Sequence, residues 1–225
     1  MDKLFNSMRY SADEDYLIGD SAKRIQILLN LIGKNKKVLD LGCGDGLIAG
    51  QILKNGNEVA GVEVSEFAIK KAREKGIKVY DYDLNSDWGN SIKEKFDLVL
   101  CGEIIEHIFD TDKLLHNIYS VLKEGGLLVL STPNLAALGR RVFLLFGINP
   151  LTEVTARRYD SGHIRYFTLA SLKKLLKENG FIVTKFKSDY VSFYTKGRLR
   201  CGILADLFPA IGNSLIVKCK KIPLP

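Results

Sequence analysis

The sequence predicts an α/β fold: a doubly wound, mostly parallel sheet with helices on both faces. Three observations carry that prediction. Short apolar runs at 36–41, 58–63, 77–81, 96–101 and 126–132 read as buried strands. Segments with apolar residues at helical spacing lie at 20–33, 46–54, 66–75 and 111–122. The two kinds alternate, and alternation of this sort joins parallel strands through crossover helices.

Taken in order, the N-terminal segment MDKLFNSMRYSADEDY is polar and charged and leads into the helix at 20–33, so residues 1–33 read as a helical extension before the sheet. The strand at 36–41 breaks into a glycine turn that opens the helix at 46–54. After Pro133 the alternation stops, and 133–166 reads as a mixed, lid-like insert. TLASLKKLLKENG then begins on a Thr168 cap and ends at Gly180, as a helix does. FIVTKFKS (181–188) and NSLIVKCKK (213–221) alternate apolar and polar residues like a hairpin at the sheet edge. At 225 residues and 46% hydrophobic the chain suffices for one well-buried domain spanning 1–225, with no low-complexity linker to suggest a second. With no signal-peptide pattern and no apolar run of spanning length, a cytoplasmic protein is expected.

VLDLGCGDG (38–46) is the most informative segment. A strand ending in alternate glycines below a helix start suits a nucleotide cofactor, because glycine lets backbone approach a ligand closely. The dinucleotide fingerprint would need a glycine at 47, where Leu47 stands, and a P-loop would need Lys and then Ser or Thr after Gly46. Asp40 and Asp45 would repel a pyrophosphate and favour a cationic ligand. About 20 residues on, Glu63 ends the second strand where an acid holds ribose hydroxyls in doubly wound folds. Simpler readings stand beside these: Gly42 and Gly44 as a tight turn, Glu63 as an acid at a helix N-terminus, and Asp83 with Asn85 as turn residues.

Together, Asp40–Gly46, GVEVS (61–65), DYDLN (81–85), FDLVLCGEIIEHI (96–108) and LKEGGLLVLSTPN (122–134) resemble, in order and spacing, the motifs of class I S-adenosylmethionine-dependent methyltransferases. The resemblance implies a seven-stranded sheet with the last strand antiparallel, and S-adenosyl-L-methionine as cofactor. Carried over motif by motif, it implies cofactor contacts from Asp40, Gly42, Cys43, Gly44, Glu63, Val64, Asp83, Leu84 and Cys101.

Methyl transfer asks the site to align a nucleophile and exclude water, and an oxygen nucleophile also needs a base. Glu103-Ile-Ile-Glu106-His107 follows the fourth strand, where the resemblance puts the methyl group. As one helical turn it would bring Glu103, Glu106 and His107 to one face, with His107 as general base and Glu106 beside it as the catalytic residues. The ExxEH segment is also similar to that of small-RNA 2′-O-methyltransferases and ubiquinone-pathway O-methyltransferases, which implies a divalent cation, with His163 of GHIRYFT as a further candidate ligand. Bracing of the turn without any metal is the alternative, and no metal ligand is assigned from sequence.

The acceptor is expected to be a small or lipid-linked molecule methylated on oxygen. Leu135 to Ile148 is apolar apart from Arg140 and Arg141 and reads as a lid helix or a core helix with a basic edge. Ile203 to Ile211, after the basic stretch Lys196 to Arg200, reads as a flap over the sheet or a surface for peripheral membrane contact. The net charge of +7 is spread through ordinary helices, and no RNA-binding module is visible, so nucleic acid is not the expected partner; RNA methylation stays open as an alternative through the ExxEH resemblance. Four separated cysteines with no CxxC pair indicate neither a zinc ribbon nor a disulfide framework. Residues 133–168 are similar also to MetW-like proteins, which keeps open a cofactor-binding partner of a biosynthetic enzyme.

Overall fold

The structure, a computed structural model, describes residues 21–151, 162–193 and 200–224. Residues 1–20 of the expected extension, 152–161 of the expected insert, and 194–199, which hold most of the basic stretch, lie outside the described residues.

Seven strands form one sheet: β1 (Lys37–Leu41), β2 (Glu58–Glu63), β3 (Lys78–Asp81), β4 (Phe96–Gly102), β5 (Leu122–Pro133), β6 (Phe181–Lys187) and β9 (Ser214–Lys221). Their order is β3-β2-β1-β4-β5-β9-β6, and β9 alone runs antiparallel to its neighbours β5 and β6. A two-residue ribbon, β7 (Val191–Ser192) with β8 (Arg200–Cys201), stands apart. The helices are α1 (Ala22–Ile32), α2 (Leu47–Lys54), α3 (Glu66–Glu74), α4 (Thr111–Val121), α5 (Leu138–Leu145), α6 (Leu169–Glu178) and α7 (Gly202–Leu207).

The period-2 geometry of strands divides the core into two layers. Leu39, Leu41, Val99, Cys101, Leu128, Leu130 and Val217 face one cluster with Leu114, Leu115 and Ile118 of α4 and Leu172 and Leu176 of α6. Val38, Leu98, Leu100, Val129 and Ile216 face the other, against Leu28, Leu31 and Ile32 of α1 and Ile52 of α2. Every central strand is thus buried on both sides, which accounts for its near-continuous apolar run.

Helix starts follow local chemistry. The Asp110 carboxylate accepts from Lys113 N (3.0 Å) at the start of α4, and Thr168 with Ser171 forms a reciprocal capping box on α6. The expected edge hairpin is real as a pairing of β6 with β9, but the chain between them makes the ribbon, α7 and the turn Pro209–Ile211 before returning. The expected lid helix starts at Leu138, later than the apolar run does, because Asn134 first forms a bridge to Phe167 and accepts from Ala136 N.

The strand order reverses between β1 and β4, and ligands of open α/β sheets bind at the carboxyl ends of strands at such a point. Asp40, Glu63, Asp81 and Gly102 all lie at those ends.

Candidate active site

Gly42, Gly44 and Gly46 all have positive φ, at 64°, 55° and 83°. A Cβ on Gly42 would also overlap Ile104 Cδ1, so this turn requires glycine. The loop spends its donors within the fold. Gly42 N and Cys43 N donate to Val62 O, Gly46 N to Cys43 O, Gly44 N to Glu63 Oε2 (3.0 Å), and Leu47 N to Asp45 Oδ1. A phosphate would want those N–H groups. What the loop offers is close backbone approach together with carboxylate acceptors.

The Glu63 carboxylate organises the second half of the cradle, accepting from Val64 N (2.8 Å) and Ser65 N (2.9 Å) as well as Gly44 N. Ser65 meanwhile caps α3, so the capping reading and the carboxylate's place in the cradle coexist. Asp40 is 4% exposed, and its Oδ2 is buried without a hydrogen-bond partner. Burial, with Glu63 adding like charge, pushes its carboxyl up to about 7. Such an oxygen awaits a cation or a donor.

Asp45 corrects the expectation that both loop acids face the ligand. Its Oδ2 pairs with Lys75 Nζ at 2.8 Å, which turns the carboxylate toward the end of α3. Cys43 packs on β2, where Gly61 leaves room for its sulfur, and burial raises its thiol pKa strongly. Cys101 is fully buried on β4, in the α4-side core. Val64 is exposed, Leu84 packs half-buried on the core edge, and exposed Asp83 accepts from Asn85 N (2.9 Å) in a turn.

The ExxEH segment departs from a regular helical turn. Glu103 adopts φ 56°, outside the short 3-10 turn Ile105–His107, and its carboxylate is held by Ser131 Oγ (2.8 Å) and Arg24 of α1 (3.4 Å). It therefore does not join Glu106 and His107 on one helical face. Glu106 is 1% exposed; Oε2 accepts from Thr132 Oγ1 (3.0 Å), whereas Oε1 is buried with no hydrogen-bond partner. Desolvation, then the nearby Glu103 charge, raises its carboxyl to about 8, against opposing contributions from the Thr132 bond and Arg24.

The backbone of 162–165 docks on this turn, with Ile164 N and Arg165 N donating to Glu106 O (2.9 and 3.0 Å). That docking brings His163 Nε2 to 3.9 Å from Glu106 Oε1 and its ring to 4.9 Å from that of His107. One ligand atom each from Glu106, His107 and His163 lies within 4.8 Å of the others. His107 Nδ1 lies 3.1 Å from Gly162 O; a carbonyl only accepts, so Nδ1 is the donor of this bond.

Sequence reasoning missed several residues here. Ser131 and Thr132 had a signal, two hydroxyls ending an otherwise apolar strand. Arg24 had none beyond being a charge in an amphipathic helix. Phe109 (75% exposed) and Ile164 (51%) stand two residues and one residue beyond the two histidines in the chain; Arg165 bonds Phe109 O and stacks over its ring.

Residues 13–185 match the family described as "Methyltransferase domain". The ubiquinone biosynthesis O-methyltransferase of Azoarcus sp. (strain BH72) is 38% identical over 105 residues, which cover 44% of this chain and 45% of that one. The chain thus spans less than half the length of the curated relatives of this kind that it matches. Among solved structures, the magnesium protoporphyrin IX methyltransferase of Synechocystis PCC 6803 with bound SAH superposes with a TM-score of 0.63 at 18% identity, covering 97% of this chain and 94% of that one. An Archaeoglobus fulgidus SAM-dependent methyltransferase gives 0.64 at 20% identity, covering 93% and 100%. These likenesses show the same fold. With a glycine turn below a helix start, two acids at the strand ends and a match over residues 13–185, this chain belongs to the methyltransferase domain family and has the fold of the class I S-adenosylmethionine-dependent methyltransferases.

Proposed function

We propose that this methyltransferase methylates an oxygen of a small or lipid-linked acceptor that carries an apolar or aromatic body. The observation that supports it most is the convergence of Glu106, His107 and His163 beyond the end of β4, with the exposed apolar residues Phe109 and Ile164 close to the two histidines in the chain. The ubiquinone-pathway relatives are named O-methyltransferases, which agrees with this reading.

S-adenosylmethionine supplies a methyl already activated by its sulfonium. Asp40 would offer its orphaned Oδ2 to the cationic end of the cofactor, and Glu63 would accept from ribose hydroxyls once they displace part of its backbone bonding. Gly42, Cys43 and Gly44 would allow the backbone approach. Val64 and Leu84 would cover the adenine, with Asp83 at its edge. The fit rests on the orphaned Asp40 oxygen and on the glycine whose Cβ has no room.

His107 is oriented for base catalysis because the Gly162 carbonyl fixes the proton on Nδ1 and leaves Nε2 to take the acceptor's hydroxyl proton. A second reading is favoured by Glu106 Oε1, buried with no hydrogen bond and facing His163 Nε2 at 3.9 Å. Glu106, His107 and His163 would hold a divalent cation, and one carboxylate with two imidazoles suits a Mn-like or Fe-like ion better than Mg. Such an ion would supply Lewis acidity that lowers the acceptor hydroxyl's pKa.

The test is transfer of labelled methyl from S-adenosylmethionine to catechols and phenols bearing short or long alkyl tails, with EDTA or Mn²⁺. Transfer to oxygen that is lost in His107→Ala, with cofactor affinity retained, supports the proposal. Transfer to nitrogen alone, or turnover indifferent to His107→Ala, contradicts it.

A further inference from the structure

We propose that the open sheet face on β6 and β9 binds the sugar–phosphate backbone of a single-stranded nucleic acid through Lys185, Lys187, Lys218 and Lys220. The inference goes beyond the acceptor reading above and does not depend on it.

Strand register brings these lysines together. Lys185 stands directly opposite Lys218, Ile182 opposite Lys220, and Lys187 opposite Ile216. Opposite residues of paired strands share a face, and Ile216 belongs to the layer packed against α1. Val183 and Phe186 turn to the other face, against the α4 and α6 layer. α1 covers its own face as far as β9, where Ile216 is buried and Lys218 Nζ donates to Leu31 O at 2.7 Å. On β6 the same face is open: Ile182 is 51% exposed, and Lys185 and Lys187 are exposed, as is Lys220 on β9. Successive lysines on one strand are about 7 Å apart and the two strands about 5 Å. The sequence scatters these charges; strand pairing gathers them.

The cluster lacks counter-charge. Among the described residues these four lysines form no ion pair. Burial, then the charges of Lys36 and Lys185, lowers the pKa of Lys218, and no acid opposes them. Asp97, which the Lys36 charge reaches, is itself paired with Lys123 at 2.7 Å. Like charges directly opposite across two strands destabilise a sheet, and a bound polyanion would offset that cost.

The surroundings select the polyanion. A protein interface is centred on apolar or aromatic anchors, and a peripheral membrane contact inserts apolar side chains. Ile182 is the one large apolar side chain exposed on β6 and β9. A nucleic acid backbone needs no such anchor, because lysines that displace its counterions supply the binding. Lysines hold phosphates as point charges, without the fixed fork of arginine, and no aromatic side chain shares this face to stack a base. A flat sheet face does not enter a duplex groove as a helix or ribbon does, whereas a single strand can lie across it.

The test is fluorescence anisotropy of a labelled single-stranded RNA of about 20 nucleotides and mixed sequence, titrated with the full chain from about 50 to 200 mM salt. The face variant carries Lys185→Gln, Lys187→Gln and Lys220→Gln; Lys218 is kept for its bond to Leu31 O. The control carries Lys173→Gln, Lys174→Gln and Lys177→Gln, the same loss of charge from exposed lysines of α6 on the other side of the sheet. Control and wild type should bind alike. The face variant should bind at least about tenfold more weakly, and its slope of log affinity against log salt should be shallower by about two, at roughly 0.7 per lost phosphate contact. Thermal melts should show the face variant no less stable than wild type, since it loses only like-charge repulsion. Absence of RNA binding by wild type at the lowest salt overturns the proposal. So does an equal loss in both triple variants, which would leave net charge alone as the cause. A polyglutamate peptide of matched charge that binds as tightly as the RNA, or phosphatidylglycerol vesicles that displace the RNA at equal phosphate, would also overturn it, in favour of an acidic protein or a membrane.

Discussion

Asp40→Asn should stabilise the ligand-free protein at pH 8 while weakening its hold on S-adenosylmethionine. Asp40 is buried, and its carboxyl is raised from 3.8 to about 7 by burial and by Glu63. The folded chain therefore keeps this proton to a higher pH than the unfolded chain, which loses it near its ordinary value. Wherever the folded state binds more protons, stability falls as pH rises, so the loss develops from about pH 4 to about pH 7 and then levels. A shift of roughly three units at about 1.36 kcal/mol each makes the full loss on the order of 4 kcal/mol, of which about 2–3 kcal/mol falls between pH 5 and pH 8. Asn has the shape of the protonated acid and does not titrate. The Tm difference between variant and wild type should thus grow by about 5–10 °C from pH 5 to pH 8. Glu106 also titrates in this range, but it is present in both proteins and cancels from the difference. Thermal melts without cofactor at the two pH values measure this, and calorimetry at pH 8 should show S-adenosylmethionine bound about ten- to a hundred-fold more weakly by the variant. An equal Tm difference at both pH values would refute the reasoning, because Asp40 would then carry no ionisation strain for the cofactor to relieve.

Gly42→Ala should destabilise the fold by about 1–3 kcal/mol, since alanine must adopt a left-handed conformation and displace Ile104, and chemical denaturation measures it. If the Glu106, His107 and His163 group holds a divalent cation, Mn²⁺ titrated into the protein should give one site that His163→Ala weakens at least about tenfold; electron paramagnetic resonance counts the bound ion. Phe109→Ala should raise KM for a tailed acceptor several-fold with kcat little changed, because an exposed apolar residue close to His107 in the chain contributes to binding the acceptor's body and not to the reacting atoms; steady-state kinetics separates the two.

Most of the sheet was legible because each buried strand carries its own apolar run and each helix its own start signal. β2 ends at Glu63 as the pattern requires, and the Thr168 cap opens α6. The period-2 pattern sorts Val99 and Cys101 to one face of β4 and Leu98 and Leu100 to the other. Other features depend on distant residues and leave no local trace. Asp45 looks like a second ligand acid until Lys75, thirty positions on, is seen to pair with it. Glu103 belongs to an apparent helical turn until its left-handed backbone directs it to Ser131 and Arg24. His163 meets Glu106 because the backbone of 164 and 165 bonds the carbonyl of Glu106, a contact that spacing could not disclose.

In the proposed complex S-adenosylmethionine lies across the ends of β1 and β2, held by the Asp40 and Glu63 carboxylates. The most direct test of this placement is calorimetric titration of S-adenosylmethionine and S-adenosylhomocysteine into wild type and Glu63→Ala, with NAD as a control. Wild type should bind both sulfur ligands and not NAD, and Glu63→Ala, which removes acceptors for both the ribose and Gly44 N, should bind them at least about tenfold more weakly. Equal affinity in the two proteins, with both folded, would contradict it and place the cofactor elsewhere.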